Sequence, residues 1–138
     1  MLEATTDAIG ALAIYAGLNT LILVWLAFQT GRVRQSEKVL MGDGGNPRMI
    51  RIMRGHANAM EFIPVTLITL LAVALLGGPA WAIHGFGLLL TAGRFLHALH
   101  FTAADAPGWQ RSAGTGLSLL AMVGAAFWAI AAGLSTII

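Results

Sequence analysis

Arg51, Arg54, Asn58 and Glu61 follow one another at spacings of three, four and three, so on a helix they form a single stripe of two guanidiniums, an amide and a carboxylate. Arg94 and His97, three residues apart, make a similar pair further along the chain. Such a set can neutralise itself, most simply through a Glu61–Arg94 ion pair, or it can hold a charged ligand. Pro64 has no amide hydrogen to offer the carbonyl of Met60, so a kink is expected one turn beyond Glu61, opening space for a pocket beside the stripe. The chain has no cysteine, which excludes disulfides, thiolate metal sites and a nucleophilic thiol of its own. His97 and His100 lack the carboxylate or thiolate company of a metal centre, so no metal site is expected and helix-bridging roles suit them better.

What must position these residues is a membrane-spanning scaffold. With 57% hydrophobic and only 10% charged residues and a mean hydropathy of +0.78, the chain is far too apolar for a soluble domain. The net charge of +2 gives no reason to expect a nucleic-acid partner. Ile9 to Phe28 is an uncharged run of roughly 20 residues, enough to cross a hydrocarbon core of about 30 Å. Glu3 and Asp7 precede it, where a cleaved signal peptide would be basic, so the helix is expected to stay. The stretch from Thr30 to Arg48, with Gly31, Gly42 to Gly45, Asn46 and Pro47, reads as the one real loop, and its GDGG as a turn, since it lacks the lysine and the strand–helix setting of a phosphate loop.

Two later apolar runs are too short. Phe62 to Leu76 provides about 22 Å of helix and is closed at its far end by Gly77, Gly78 and Pro79, so it must recruit Glu61, Asn58 and Arg54 to complete a span. Trp81 to Gly93 must likewise continue through Arg94 and His97 to about Phe101. Counted from the shared GGP turn, Glu61 and Arg94 come to nearly the same depth. The expected fold is an all-α integral membrane protein, a four-transmembrane-helix bundle in one domain, 1–138, with helices at about 8–29, 48–76, 80–101 and 110–137.

Arg32, Arg34, Lys38, Arg48, Arg51 and Arg54 flank the first loop, and Arg94 and Arg111 flank the last, while the GGP turn and both termini have no Lys or Arg. Both termini are therefore expected to be non-cytoplasmic, with the polar site facing the cytoplasm. Arg32, Arg34, Arg48 and Arg51 have a plainer reading as interfacial residues meeting anionic headgroups. Asn19 is expected to hydrogen-bond a neighbouring helix, the many Gly and Ala positions to serve close helix packing, and Trp25, Trp81 and Trp109 to anchor helix ends at the interface.

The stretch NPRMIRIMRGHANAMEFIP, with Arg51, Arg54, His56, Asn58, Glu61 and Pro64, resembles the second-helix signature of the MAPEG family, the membrane-associated proteins in eicosanoid and glutathione metabolism. GRFLHALHF resembles the third helix, and TGRVR and QRS add two shorter matches in order, so the likeness covers nearly the whole chain and looks closest to the compact bacterial inner-membrane members. It implies a homotrimer that binds glutathione as co-substrate between neighbouring subunits near the cytoplasmic face. It suggests Arg54, Asn58 and Glu61 as glutathione ligands, joined by Arg34 and His97, with Arg51 and Arg94 in the same binding set. The resemblance also implies Arg111 and Ser112 beside the thiol as the catalytic pair. Glutathione carries two carboxylates and one ammonium, which suits arginines and a carboxylate, and a guanidinium near sulfur favours the nucleophilic thiolate.

Ala57 stands where the prostaglandin-forming relatives have an arginine, and Phe101 where several relatives have a tyrosine. The likeness implies a membrane-bound glutathione transferase or peroxidase acting on lipophilic electrophiles or lipid hydroperoxides. The family also includes a non-enzymatic member, so the alternative is a non-catalytic lipid- or glutathione-binding membrane protein that modulates a partner.

Overall fold

A computed structural model describes residues 2–138, apart from the side chains at positions 2 and 4. Four helices follow one another: α1 (Leu2–Glu37), α2 (Pro47–Leu75), α3 (Ala80–Thr102) and α4 (Gly108–Ile137). Each is long and apolar enough to cross a membrane, and the fold is that of an all-α integral membrane protein. Helices α2 and α3 form the centre, α1 packs on both from one side and α4 on both from the other, and α1 and α4 do not meet among the described residues. The interior divides into two apolar clusters. One gathers Ala8, Leu12, Leu70, Val73, Ile83 and Ala125 near the α2–α3 turn, and the other gathers Ile22, Leu26, Met49, Ile52, Ile63 and Ala98 toward the α1–α2 loop. Large apolar side chains such as Leu21, Phe28, Ile68, Leu88 and Phe127 stay exposed, as lipid-facing residues do in a bilayer.

α1 corrects the expected boundary. It does not stop near residue 29 but runs to Glu37, so Arg32 and Arg34 ride on a helix rather than in a loop. Its 36 residues amount to about 54 Å, well beyond the hydrocarbon core, because Gln, Arg, Ser and Glu continue a helix in water as readily as apolar residues do in lipid. Trp25 is consequently not at a helix end; its ring packs 6.0 Å from that of Phe95. The real loop is short and tied down. Arg34 donates to the carbonyls of Gly42 (2.8 Å) and Val39 (3.3 Å), and the Asp43 carboxylate accepts from the Gly45 amide, making the GDGG segment a turn. Asn46 caps α2 by accepting from the amides of Arg48 and Met49. The Glu37–Arg48 ion pair (2.9 Å) then joins the end of α1 to the start of α2.

At the opposite face the α2–α3 turn closes with the Gly78 amide donating to the Val73 carbonyl and with Gly77 at φ 83, which a residue with a Cβ adopts at a cost. α2 continues as one helix through Pro64. α3 and α4 approach closely at Gly93 and Gly114: a Cβ on Gly114 would lie 2.7 Å from the Gly93 carbonyl oxygen. That contact brings α4 down onto the polar part of α3.

Candidate functional site

The stripe on α2 forms as its spacing requires, and α3 and α4 complete it. Arg54, Asn58 and Glu61 from α2, His97 and Phe101 from α3, and Arg111 and Thr115 from α4 line one open groove of about 360 Å³. Its floor is Arg94. This side chain is 1% exposed, and its guanidinium donates to Ser118 Oγ (2.7 Å), Asn58 Oδ1 (2.8 Å) and the Gly114 carbonyl (3.2 Å), with the Phe62 ring 4.5 Å away. Every one of these partners is neutral. The Glu61–Arg94 ion pair, the alternative to a ligand site, is not made; Asn58 lies between them, accepting from Arg94 and donating to Glu61 Oε2 at 3.5 Å. Arg94 thus holds the floor rather than reaching into the groove as a ligand.

At the mouth the pattern reverses. Arg54, Glu61 and Arg111 are exposed, and neither arginine makes a hydrogen bond or ion pair among the described residues, where Glu37–Arg48 is the sole ion pair. Two cations and a carboxylate are left available around one depression, Arg54 and Glu61 from α2 and Arg111 from α4. Such an arrangement is suited to a small zwitterion with more than one carboxylate, each guanidinium offering a fork of donors and Glu61 an acceptor for an ammonium.

Three other expected site residues lie elsewhere. Arg34 is occupied in fixing the loop and also approaches Met53 Sδ at 3.8 Å. Ser112 is exposed, and its hydroxyl is directed to the Gly108 carbonyl of its own helix (3.5 Å) rather than lining the groove. Arg51, on the same stripe as Arg54, faces a second depression. Its terminal nitrogen donates to the His100 carbonyl (2.6 Å) and meets His100 Nε2 (3.1 Å), with Phe101 5.6 Å from its guanidinium carbon. Phe101 is what separates it from the others: the ring stacks on His97 at 4.7 Å on one side and faces Arg51 on the other. It fits there because α2 has glycine at position 55, where a Cβ would collide with Phe101 Cβ.

Ser118 and Thr115 were not expected. Both look like ordinary small residues of an apolar helix; their seven- and four-residue offsets from Arg111, which put all three on one face of α4, were the available signal.

A model of the MAPEG family matches residues 12–131, which takes in every residue of the groove. The chain belongs to the MAPEG family. Inner membrane protein YecN of Escherichia coli K12 is 36% identical over 118 residues, which cover 84% of this MAPEG chain and 89% of YecN, and YecN of E. coli O6:H1 matches to the same extent. The four-span fold expected from the two short apolar runs is the fold of this MAPEG protein, and its groove lies at the end of the bundle shared by the α1–α2 and α3–α4 loops.

Proposed function

We propose that this MAPEG protein is a glutathione transferase or glutathione-dependent peroxidase of a bacterial inner membrane, acting on a lipophilic electrophile or a lipid hydroperoxide drawn from the bilayer. The observation that carries the reading is the groove mouth, where Arg54, Arg111 and Glu61 stand without ion-pair partners among the described residues, above a floor of fixed polar contacts. The residues fit the charges of glutathione: Arg54 for a carboxylate, Glu61 for the ammonium, Asn58 to orient Glu61, and Arg111 for the sulfur. When bound, glutathione supplies the thiol that the chain itself lacks. Free thiols ionise near pH 8.5, so only a few per cent would be thiolate at neutral pH unaided. Arg111 favours the ionised form by its charge, and His97, held by the Phe101 ring, closes the side of the groove behind it. The clustering of Lys and Arg around the two loops supports a cytoplasmic groove and non-cytoplasmic termini. The YecN likeness supports the inner membrane, and family membership supports a homotrimer.

The test is glutathione-dependent turnover of an aryl halide and of an organic hydroperoxide by the purified protein in lipid nanodiscs. Arg111→Ala should abolish the ultraviolet thiolate absorbance of bound glutathione and slow turnover more than it weakens binding. A specific observation favours a second reading. Phe101 has no hydroxyl and the Ser112 hydroxyl is turned to Gly108, so neither position offers a donor to the sulfur. If wild-type protein binds glutathione but turns over neither substrate, and Arg111→Ala leaves the thiolate signal unchanged, the protein is a non-catalytic binder that acts on a partner.

A further inference from the structure

Beyond Phe101 lies a second depression, of about 340 Å³, bordered by Gln29, Arg32 and Ser36 of α1, Arg48 and Arg51 of α2, and the end of α3. Three guanidiniums converge on it. Glu37 is bound to Arg48 at 2.9 Å and no acid is among the lining residues, so two of the three positive charges that line the depression stay uncompensated. Arg32 is exposed and makes no hydrogen bond or ion pair among the described residues. Arg51 is held in place by His100 through one terminal nitrogen, yet its Nε is buried with no partner. A buried guanidinium N–H left unpaired costs stability unless a ligand supplies an acceptor.

Its depth indicates where the acceptor comes from. Gln29 is the first residue after the apolar run that ends at Phe28, and α1 rises about 10 Å from Gln29 to Ser36, close to the thickness of one headgroup layer. On the membrane side Arg32 also borders a furrow along α1 lined by Val24, Ala27, Phe28 and Gly31, in which Phe28 is 70% exposed. One residue therefore joins a cationic depression at headgroup depth to an apolar track below it.

We infer that this depression is a binding site for an anionic glycerophospholipid, with the phosphate held by Arg32 and Arg51 and an acyl chain lying along the Val24–Phe28 face of α1. Arginine forks match phosphate oxygens, and the uncompensated charge disfavours a zwitterionic headgroup, whose ammonium would face Arg48. The site is separate from the glutathione groove and does not depend on that reading, since Phe101 walls off one from the other.

The experiment uses delipidated protein in dodecylmaltoside, with lipid adducts counted by native mass spectrometry and thermal stability followed in parallel. Phosphatidylglycerol, phosphatidylcholine and inorganic phosphate are the three probes. Phosphatidylglycerol should form one retained adduct per chain, in preference to phosphatidylcholine. Arg32→Gln should weaken that adduct about fivefold, the equivalent of roughly 1 kcal/mol per basic residue at an anionic surface. Arg51→Gln should weaken it at least as much, and Arg54→Gln, across the Phe101 wall, should leave it unchanged. Should Arg51→Gln fail to fold, Arg32→Gln decides alone, because its side chain holds nothing together in the fold. Equal binding of the two lipids, or equal losses in Arg32→Gln and Arg54→Gln, would overturn the site. Saturation by millimolar inorganic phosphate in place of phosphatidylglycerol would overturn the lipid assignment and leave a soluble-anion site.

Discussion

Along the seam between α1 and α3, polar side chains find one another, with only Asn19 Oδ1 left over among the described residues. Asn19 donates to Thr91 Oγ1 (2.8 Å) and to the Tyr15 carbonyl (2.9 Å), Thr91 donates to the Gly87 carbonyl, and the Tyr15 hydroxyl meets His84 Nδ1 at 3.0 Å. Around the groove between α2, α3 and α4 the same bilayer surrounds a different economy of contacts, in which Arg94 is fully engaged and the side chains of Arg54 and Arg111 have no hydrogen-bond or ion-pair partner among the described residues. A polar group among apolar helices is glue when its partners come from its own chain, and a receptor when it is left over. The groove has both kinds stacked one above the other, with Asn58 as the link between them.

Substitutions should separate the two regions by their effect on stability. The largest loss is expected for Gly114→Ala, whose Cβ would lie 2.7 Å from both the Gly93 carbonyl oxygen and the His97 amide; about 3 kcal/mol is reasonable for a clash against backbone, read as reduced resistance to thermal unfolding in detergent. A wild-type melting temperature would mean that α3 and α4 do not need their close approach. Arg94→Gln comes next, at roughly 2 kcal/mol, because Asn58, Ser118 and Gly114 lose a charged donor, and the glutathione response should disappear with it. Asn19→Ala, in the seam, should cost only about 0.6 kcal/mol, the usual worth of an interhelical hydrogen bond in a bilayer, and should leave glutathione binding intact. A larger loss, or a lost ligand response, would make the seam part of the site. Smallest of all should be Arg54→Ala and Glu61→Gln, which remove no internal ion pair and should melt like wild type without ligand. Each should nonetheless erase the stabilisation by glutathione, which for an intact site grows as RT ln(1 + [L]/Kd). Retention of that stabilisation in both variants would make the stripe structural.

Much of this fold could be read before any coordinates, for a definite physical reason. A helix that is too short to span must draw on its neighbours, and the deficits in Phe62–Leu76 and Trp81–Gly93 pull Glu61 and Arg94 inward by amounts fixed by the rise per residue. Asn19 was legible too, since an amide in mid-membrane has to find a partner. The end of α1 was not, because charge marks the limit of lipid and not the limit of helix, and Arg32 and Arg34 carry as much helical propensity as the residues before them. Nor was the division of the α2 stripe. Arg51 and Arg54 share a face by periodicity, and what parts them is a ring from α3 seated on Gly55, a contact between positions 46 apart that no local pattern encodes. Arg94 reached Asn58 and Ser118 instead of Glu61 for a similar reason: the Gly93–Gly114 contact places α4 nearer to it than the carboxylate.

The neutral cage around Arg94 bears on ionic strength. Its charge is not cancelled inside the chain, and it lies beneath the surface where mobile ions scarcely reach it, whereas Arg54 and Arg111 at the mouth stand within about one Debye length, roughly 8 Å, of bulk electrolyte. Added salt should therefore blunt the long-range attraction that draws an anionic ligand inward, lowering the association rate, while the field from the floor persists for a ligand already seated and its dissociation rate stays nearly constant. Capture would then respond to the medium more steeply than retention, to which a cation that the solvent scarcely screens contributes alongside the rim contacts.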